Sequence, residues 1–161
     1  MGFVLYGLVQ PHSPAMSFRI ELHDWQSAGR LALEIRMEVF VAEQGVPAEL
    51  EHDEWDERAD HVLAFEGERA VGTARLLPDG RIGRMAVRRD WRGRGIGGGM
   101  LERLIERARA RGLVSVFLHA QTHAAPFYRS HGFVECGEPF IEAGLPHIAM
   151  RRDLSPERNA R

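Results

Sequence analysis

Residues 93–98, with the sequence GRGIGG, have a spacing that is suited to binding a phosphate. Gly93, Gly95 and Gly98 satisfy the pattern G-x-G-x-x-G, and the residues after them have the apolar spacing of a helix. The unpaired backbone N–H groups at a helix start, together with the positive end of the helix dipole, favour an anion. Glycine also removes the Cβ atoms that would hold a phosphate away from the backbone. The loop therefore predicts an anion site, with a flexible turn for close strand–helix packing as the structural alternative.

The surroundings of this loop argue against two common phosphate-binding sites. A dinucleotide site needs its first glycine close to a strand end, and an Asp or Glu about 20 residues later at the end of the next strand. Here residues 88–92 separate the strand from the glycines, and the next strand ends in His119, Ala120 and Gln121. A P-loop needs a lysine, but all 21 basic residues of this chain are arginine. A nucleotide-dependent oxidoreductase is therefore only a weak alternative.

A second group of chemically useful side chains lies in the acidic stretch, residues 47–60. The side chains in question are Glu49, Glu51, His52, Asp53, Asp56 and Asp60. Three interpretations are open: a solvated acidic surface, a rim that attracts a cationic amine or polyamine, and a metal site. Because the carboxylates are scattered through a loop, their spacing decides between none of these, and we assign no metal ligands.

Length, charge and cysteine content limit the class of protein. The chain has 161 residues, of which 44% are apolar, which suits one domain with a substantial core. Its net charge is −2 with interleaved signs, so a nucleic-acid partner is not expected. The single cysteine, Cys136, cannot form an internal disulfide, so we expect a cytoplasmic protein with a buried, structural thiol. The first apolar run is too short to span a bilayer and has no basic residue before Arg19, so no membrane partner is expected.

The hydrophobic pattern predicts the elements that must position these residues. Residues 17–22 alternate like a strand, and residues 28–39 have helical spacing after a predicted N-cap at Ser27. Three strand-like runs follow, separated by the hairpin signals Gly67-Glu68 and Asp79-Gly80. After the glycine loop come a second helix, a buried strand over residues 113–120, a short helix and two final strands. The second helix has one apolar stripe, formed by Ile96, Met100, Leu101, Leu104, Ile105 and Ala108. This order predicts an α/β protein of the α+β type, in which helices flank a mixed sheet, and not a protein of alternating βαβ units.

Two motifs resemble a known family. The segment VRRDWRGRGIGGGML is similar to the acetyl-CoA-binding motif of the GNAT N-acetyltransferases, whose signature R/Q-x-x-G-x-G/A matches Arg92, Gly95 and Gly97. The segment APFYRSHGF resembles the second marker of that family, x-x-F-Y-x-x-x-G-F. The resemblance covers residues 17–154, and the segments FVAEQGVPAELEHDEWD, LHAQ and GLPHIAM are similar to the ElaA-like bacterial subgroup. It implies the GNAT fold, a central and mostly antiparallel sheet flanked by helices.

The resemblance implies acetyl-CoA as the cofactor. In the family the loop amides bind the pyrophosphate of coenzyme A, and the matching residues here are Arg92, Gly93, Arg94, Gly95, Ile96, Gly97 and Gly98. The backbone of the preceding strand pairs with the acetyl and pantetheine amides, and the matching residues are Met85, Ala86 and Val87.

The resemblance also implies roles for several side chains. Tyr128 matches the tyrosine near the thioester sulfur, and its ordinary pKa of about 10 suits a general acid, while packing beside Phe127 is the alternative. His119 and His147 are candidate bases, although a structural histidine is the alternative for each and many family members use a water chain instead. The candidate acceptor-binding residues are Glu43 and Gln44, where the family often shapes the acceptor pocket, and Glu51 and Asp53 from the acidic stretch.

The sequence therefore predicts an enzyme that transfers an acetyl group directly from acetyl-CoA to a primary amine of a small molecule or peptide. A CoA-binding sensor or a non-catalytic family member is the alternative. The predicted catalytic domain covers residues 16–154, between an N-terminal extension, residues 1–15, and a C-terminal tail, residues 155–161. Similar proteins often form dimers, so a homodimer is one possible assembly.

Overall fold

A computed structural model describes residues 17–155, and the elements within them follow the predicted order. The strands are β1 (Arg19–His23), β2 (Asp60–Glu66), β3 (Arg69–Leu76), β4 (Ile82–Val87), β5 (Ser115–Gln121), β6 (Val134–Glu142) and β7 (Leu145–Asp153). The α-helices are α1 (Trp25–Arg36), α2 (Ile96–Ala110) and α3 (Ala125–Ser130). The predicted N-terminal extension, and the predicted tail beyond residue 155, lie outside the described residues.

The strands form two antiparallel sheets that meet at one point. The first sheet has the order β1-β2-β3-β4, with tight turns at the two predicted hairpin signals, and the second has the order β5-β7-β6. Arg81 and Phe117 form a parallel bridge between the sheets, and the Phe117 N–H donates to the Gly80 carbonyl over 3.2 Å. Because β4 and β5 are bridged there and otherwise belong to different sheets, a ligand can enter the space between them.

Helices pack on both faces of the first sheet, as the predicted fold requires. In β2, Val62 and Ala64 contribute to the core that contains the α2 stripe, whereas Leu63 and Phe65 pack with α1. This alternation follows from the two-residue period of a strand. All six predicted stripe residues of α2 are buried. The helix lies so close to the sheet that a Cβ on Gly99 would be 2.5 Å from Ile20 Cδ1.

The first helix differs from its predicted form at both ends. Its N-cap is Asp24, whose carboxylate accepts from the Ser27 N–H over 2.9 Å, so the predicted cap at Ser27 is wrong. Asp24 satisfies the third N–H of the helix, which is the ordinary geometry of an acidic N-cap. A π-helical segment, Met37–Glu43, continues α1. Its wider turn changes the direction of the side chains at its end, Glu43 and Gln44.

Two predictions of burial are wrong. Cys136 is exposed, because it lies on β6, an edge strand of the second sheet whose side chains are mostly exposed. The fifth strand is not fully buried but alternates, with Val116, Leu118 and Ala120 inside and Phe117, His119 and Gln121 half-buried. The half-buried side of β5 therefore supplies His119 and Gln121 to the space opposite β4.

Candidate active site

A cleft of about 770 Å³ opens between β4 and β5. The segment after α1 and the β6–β7 hairpin supply its other walls. Ten residues predicted from the sequence as site residues line it: Gln44, Glu51, Asp53, Met85, Ala86, Val87, Arg92, His119, Tyr128 and His147. The remaining predicted cofactor residues form the adjoining glycine loop and the start of α2, and Glu43 contacts Arg92. The fold therefore gathers residues from separate parts of the chain around one cleft.

The glycine loop leaves the start of α2 open. Gly95 is the N-cap of this helix with a φ of +83°, a left-handed conformation that glycine adopts without strain, and no described side chain caps it. A Cβ on Gly93 or Gly95 would meet no heavy atom within 4 Å, so the space beside the backbone is free. An uncapped helix start with open space beside it fits a pyrophosphate.

Arg92 fixes this loop against the end of β4. Its Nε donates to the Val87 carbonyl over 2.9 Å, and its Nη2 donates to both carboxylate oxygens of Glu43, at 3.1 and 2.8 Å. A predicted cofactor residue and a predicted acceptor residue are thus paired with each other. The pair ties the glycine loop to the π-helical segment at the cleft wall.

A β-bulge interrupts β4 where it faces the cleft. Thr73 pairs with Ala86 and Arg75 with Gly83, so that Arg84 and Met85 lie opposite the single residue between Thr73 and Arg75. Arg84 adopts a φ of +50°, which is uncommon for a residue with a side chain. A bulge frees backbone groups from the ladder and often lies beside an active site. Its position suits the predicted pairing of a ligand with residues 85–87. No residue pattern in the sequence predicted the bulge.

Tyr128 projects from α3 towards this strand. Its hydroxyl donates to Met85 Sδ over 3.8 Å, and burial raises the pKa of Tyr128 to about 12. The ring packs edge-on against Phe127 and Phe133, with centroids 5.0 and 5.9 Å away. The packing interpretation therefore describes the ring, while the hydroxyl faces β4 and stays protonated near neutral pH.

The two predicted histidines meet at Glu142, a residue that the sequence reasoning missed. His119 Nδ1 lies 3.1 Å from Glu142 Oε1, and Arg81 Nη2 lies 3.0 Å from the same ring nitrogen. His147 is buried in the central strand of the second sheet, and its Nδ1 donates to the Leu145 carbonyl over 2.7 Å. Its Nε2 lies 3.8 Å from Glu142 Oε2.

Glu142 remains ionised in this setting. Burial raises its pKa, but the hydrogen bond from His119 and the neighbouring charges outweigh that effect, so that its pKa lies below the ordinary value. Its side chain is 39% exposed and lines the cleft. Glu142 precedes a turn at the end of β6, a position with no periodic pattern that would have identified it.

Arginines neutralise two carboxylates of the acidic stretch. Asp53 receives two hydrogen bonds from Arg75, at 2.7 and 2.9 Å, and one from Arg84 at 3.3 Å, and its pKa is lowered to about 2. Asp56 is fully buried against Arg36, with two bonds of 3.0 Å, and also receives Arg75 at 2.8 Å. These residues form neither a solvated surface nor a free acidic rim. Among residues 17–155, no group of three or more His, Cys, Asp or Glu is arranged to hold a metal ion.

The other acceptor candidates also lie at the cleft. Glu51 is only 3% exposed, its Oε2 has no hydrogen-bond partner among the described residues, and burial raises its pKa. The side-chain amides of Gln44 and Gln121 exchange hydrogen bonds of 3.2 and 2.8 Å, joining the segment after α1 to the end of β5. These two contacts hold that wall of the cleft in place.

Comparison with known proteins establishes the family. Residues 23–154 match the acetyltransferase (GNAT) domain family. The chain belongs to the GNAT family. The Bacillus subtilis protein YjcF, named an uncharacterized N-acetyltransferase, is 42% identical over 127 residues, which are 76% of this chain and 90% of YjcF.

Solved structures support the same assignment. Escherichia coli ElaA is 30% identical with a TM-score of 0.76, covering 84% of this chain and 99% of ElaA. An acyl-CoA N-acyltransferase from Pseudomonas aeruginosa is 31% identical with a TM-score of 0.74, covering 84% and 99% of the two chains. The predicted GNAT fold and ElaA-like resemblance are therefore confirmed, and they argue against an oxidoreductase. This GNAT domain is an acyltransferase of the acetyltransferase type, with an acyl-CoA as its donor class.

None of the helices between residues 17 and 155 combines the length and the apolar composition that a membrane-spanning helix needs.

Proposed function

We propose that this GNAT domain transfers an acetyl group from acetyl-CoA to a primary amine of a small molecule or peptide by direct attack. One observation carries the proposal: a single cleft contains the bulged backbone of β4 and the Tyr128 hydroxyl, beside the open N-terminus of α2. These three features match the needs of a donor that has a phosphate at one end and a reactive carbonyl at the other. A cytoplasmic location and a homodimer remain predictions from the sequence.

The residues that would hold acetyl-CoA extend from the glycine loop, at the pyrophosphate, to β4, at the acetyl group. The backbone N–H groups of the glycine loop and the first turn of α2 would bind the pyrophosphate, and Arg92 would keep that loop in position. The backbone of Met85, Ala86 and Val87 would bind the pantetheine arm and the acetyl carbonyl. Bound acetyl-CoA would supply the activated thioester.

The side chains account for the proton transfers of the reaction. Overall, a C–N bond forms between the amine and the acetyl carbon, and the C–S bond breaks. Tyr128, which is protonated and whose hydroxyl faces β4, would give its proton to the departing sulfur. His119 would take the proton of the amine on Nε2 in the tautomer whose Nδ1 proton is directed to Glu142. In the other tautomer Nδ1 accepts from Arg81 Nη2, at 3.0 Å, and Nε2 carries the proton. His147 and water are the other candidate proton acceptors.

Calorimetric titration with acetyl-CoA, dephospho-CoA and NAD tests the donor. We expect micromolar binding of acetyl-CoA and none of NAD, whereas binding of NAD alone would refute the donor assignment. A thiol-release assay with a panel of primary amines then tests the transfer. Binding of acetyl-CoA without release of thiol for any amine would support the CoA-binding sensor instead.

A further inference from the structure

The part of the cleft around the start of β4 has features that acetyl transfer itself does not require. It contains the half-exposed carboxylate of Glu142 and two exposed apolar side chains, Leu50 and Trp55. Leu50 is 46% and Trp55 is 42% exposed, so both have apolar surface available to a ligand in the cleft. Both kinds of group are suited to hold an acceptor.

The charges in this region limit how many cations the acceptor can carry. Of the acidic residues that line the cleft, Asp53 is paired with two arginines, and the Oε2 of Glu51 is out of contact with solvent. Asp79 is exposed in the β3–β4 turn, where its Oδ1 accepts from the backbone N–H of Arg81 over 3.0 Å. A polyamine would need several uncommitted carboxylates, because each buried cation must be compensated.

Glu142 can accept one more donor. Its Oε1 is engaged by His119 at 3.1 Å and by Arg81 at 3.4 Å, whereas its Oε2 lies 3.8 Å from His147 Nε2, which is longer than a hydrogen bond. An ammonium group at Oε2 would therefore complete the coordination of this carboxylate. Its position beside His119 would bring the amine to the candidate proton acceptor.

The Leu50 segment and this carboxylate are both attached to β4. Arg84 Nη2 donates to the Leu50 carbonyl over 2.8 Å, which attaches the Leu50 segment to the bulge in β4. Arg81, directly before β4, contacts Glu142 at 3.4 Å. The β4 side of the cleft therefore has an apolar contact at the bulge and a carboxylate at its start, which suits an amine with an apolar body.

We propose that the acceptor is a primary amine with one cationic head, bound by Glu142, and an apolar body that contacts Leu50 and Trp55. This inference rests on the proposed acetyltransferase function and names its substrate class. Burial of an apolar body against these two side chains would contribute to binding through the hydrophobic effect. Polyamines and short alkylamines are expected to be poor acceptors.

Three amines separate head from body: 2-phenylethylamine has both, ethylamine has only the head, and butane-1,4-diamine has two heads. With saturating acetyl-CoA, thiol release should give the highest kcat/KM for 2-phenylethylamine. A preference for butane-1,4-diamine or ethylamine would overturn the inference and leave the proposed transferase intact.

Three variants locate the two contacts. Glu142→Gln should raise KM for 2-phenylethylamine about ten- to a hundredfold, because a charge-assisted hydrogen bond becomes a neutral one, without changing the affinity for acetyl-CoA. Trp55→Ala should raise KM for 2-phenylethylamine but not for ethylamine, a difference that a general loss of structure would not produce. Val114→Ala is the matched control, because Val114 is 67% exposed and lies outside the cleft. An unchanged KM in Glu142→Gln, with an unchanged melting temperature, would overturn the assignment of the head site.

Direct binding separates this inference from the proposed function. If no amine is acetylated, 2-phenylethylamine is titrated calorimetrically into the protein loaded with CoA. Binding that Glu142→Gln weakens would retain the amine-binding site at Glu142 and refute the transferase. Absence of both binding and turnover would refute both.

Discussion

Replacing Tyr128 with Phe tests the proposed acid and changes one atom. The ring should keep its place, because its contacts are the edge-on packing with Phe127 and Phe133. The hydroxyl makes one weak hydrogen bond, to Met85 Sδ at 3.8 Å, so its loss should lower the free energy of unfolding by less than about 1 kcal/mol. A general acid typically contributes about 10²- to 10⁴-fold to the rate, so kcat should fall by that factor. The Kd for acetyl-CoA should stay within about threefold, which is under 1 kcal/mol.

The measurements are thiol release at saturating substrates, calorimetric titration with acetyl-CoA, and the pH dependence of kcat. Because the pKa of Tyr128 is raised to about 12, the hydroxyl keeps its proton below pH 10. The kcat of the wild-type protein should therefore not fall below pH 10 through ionisation of Tyr128, and Tyr128→Phe should have a pH profile of the same shape. An unchanged kcat would exclude the acid role. A rise in the Kd for acetyl-CoA together with an unchanged kcat would make Tyr128 a binding residue.

Four further substitutions, at three positions, test the loop and the acidic stretch. Gly97→Ala should retain acetyl-CoA binding, since its Cβ would lie 3.6 Å from Phe127, an ordinary contact distance. Gly97→Glu should abolish binding, because it places a negative charge at the phosphate site. Calorimetric titration compares the two variants, and retained affinity in Gly97→Glu would mean that the phosphate-binding loop is mislocated. Asp56→Ala should lower the free energy of unfolding in urea by about 3–5 kcal/mol, because Arg36 would become a buried, unpaired charge, and a loss below 1 kcal/mol would contradict this. The pKa of Asp53 is lowered from 3.8 to about 2, so its contribution to stability is present above pH 3.8 and lost towards pH 2. Asp53→Asn should flatten that part of the stability curve, and an identical curve would exclude the contribution.

Local patterns in the sequence were sufficient for the order of elements. The apolar stripe of α2 and the hairpin signals at residues 67–68 and 79–80 depend on neighbours within a few positions, and each lies where it was predicted. The glycine loop was also recognisable, because a helix start has local determinants. The burial of Cys136 was not, since β6 became an edge strand only through its pairing with β7.

The features that shape the cleft depend on contacts between distant residues. The bulge at Arg84 and the π-helical segment have no residue pattern that marks them, and both change which groups face the cleft. Glu142 and His119 are 23 residues apart in the sequence. They lie on β6 and β5, the two strands on either side of β7, and their side chains meet across it. Such juxtapositions follow from topology, which the spacing of residues along the chain does not determine.

The acidic stretch acquires its role from the arginines that surround it. Asp56 joins Arg36 of α1 to Arg75 of β3, and Asp53 joins Arg75 to Arg84 at the bulge of β4. Buried ion pairs of this kind add little net stability, but they require a specific geometry, so this series of alternating charges is suited to holding the acidic stretch in one position. The ion pairs hold the acidic stretch, which forms one wall of the cleft, against β4, the strand proposed to bind the donor. Because Asp53 and Asp56 are paired with arginines, Glu142 is the carboxylate that we propose to bind the cationic acceptor.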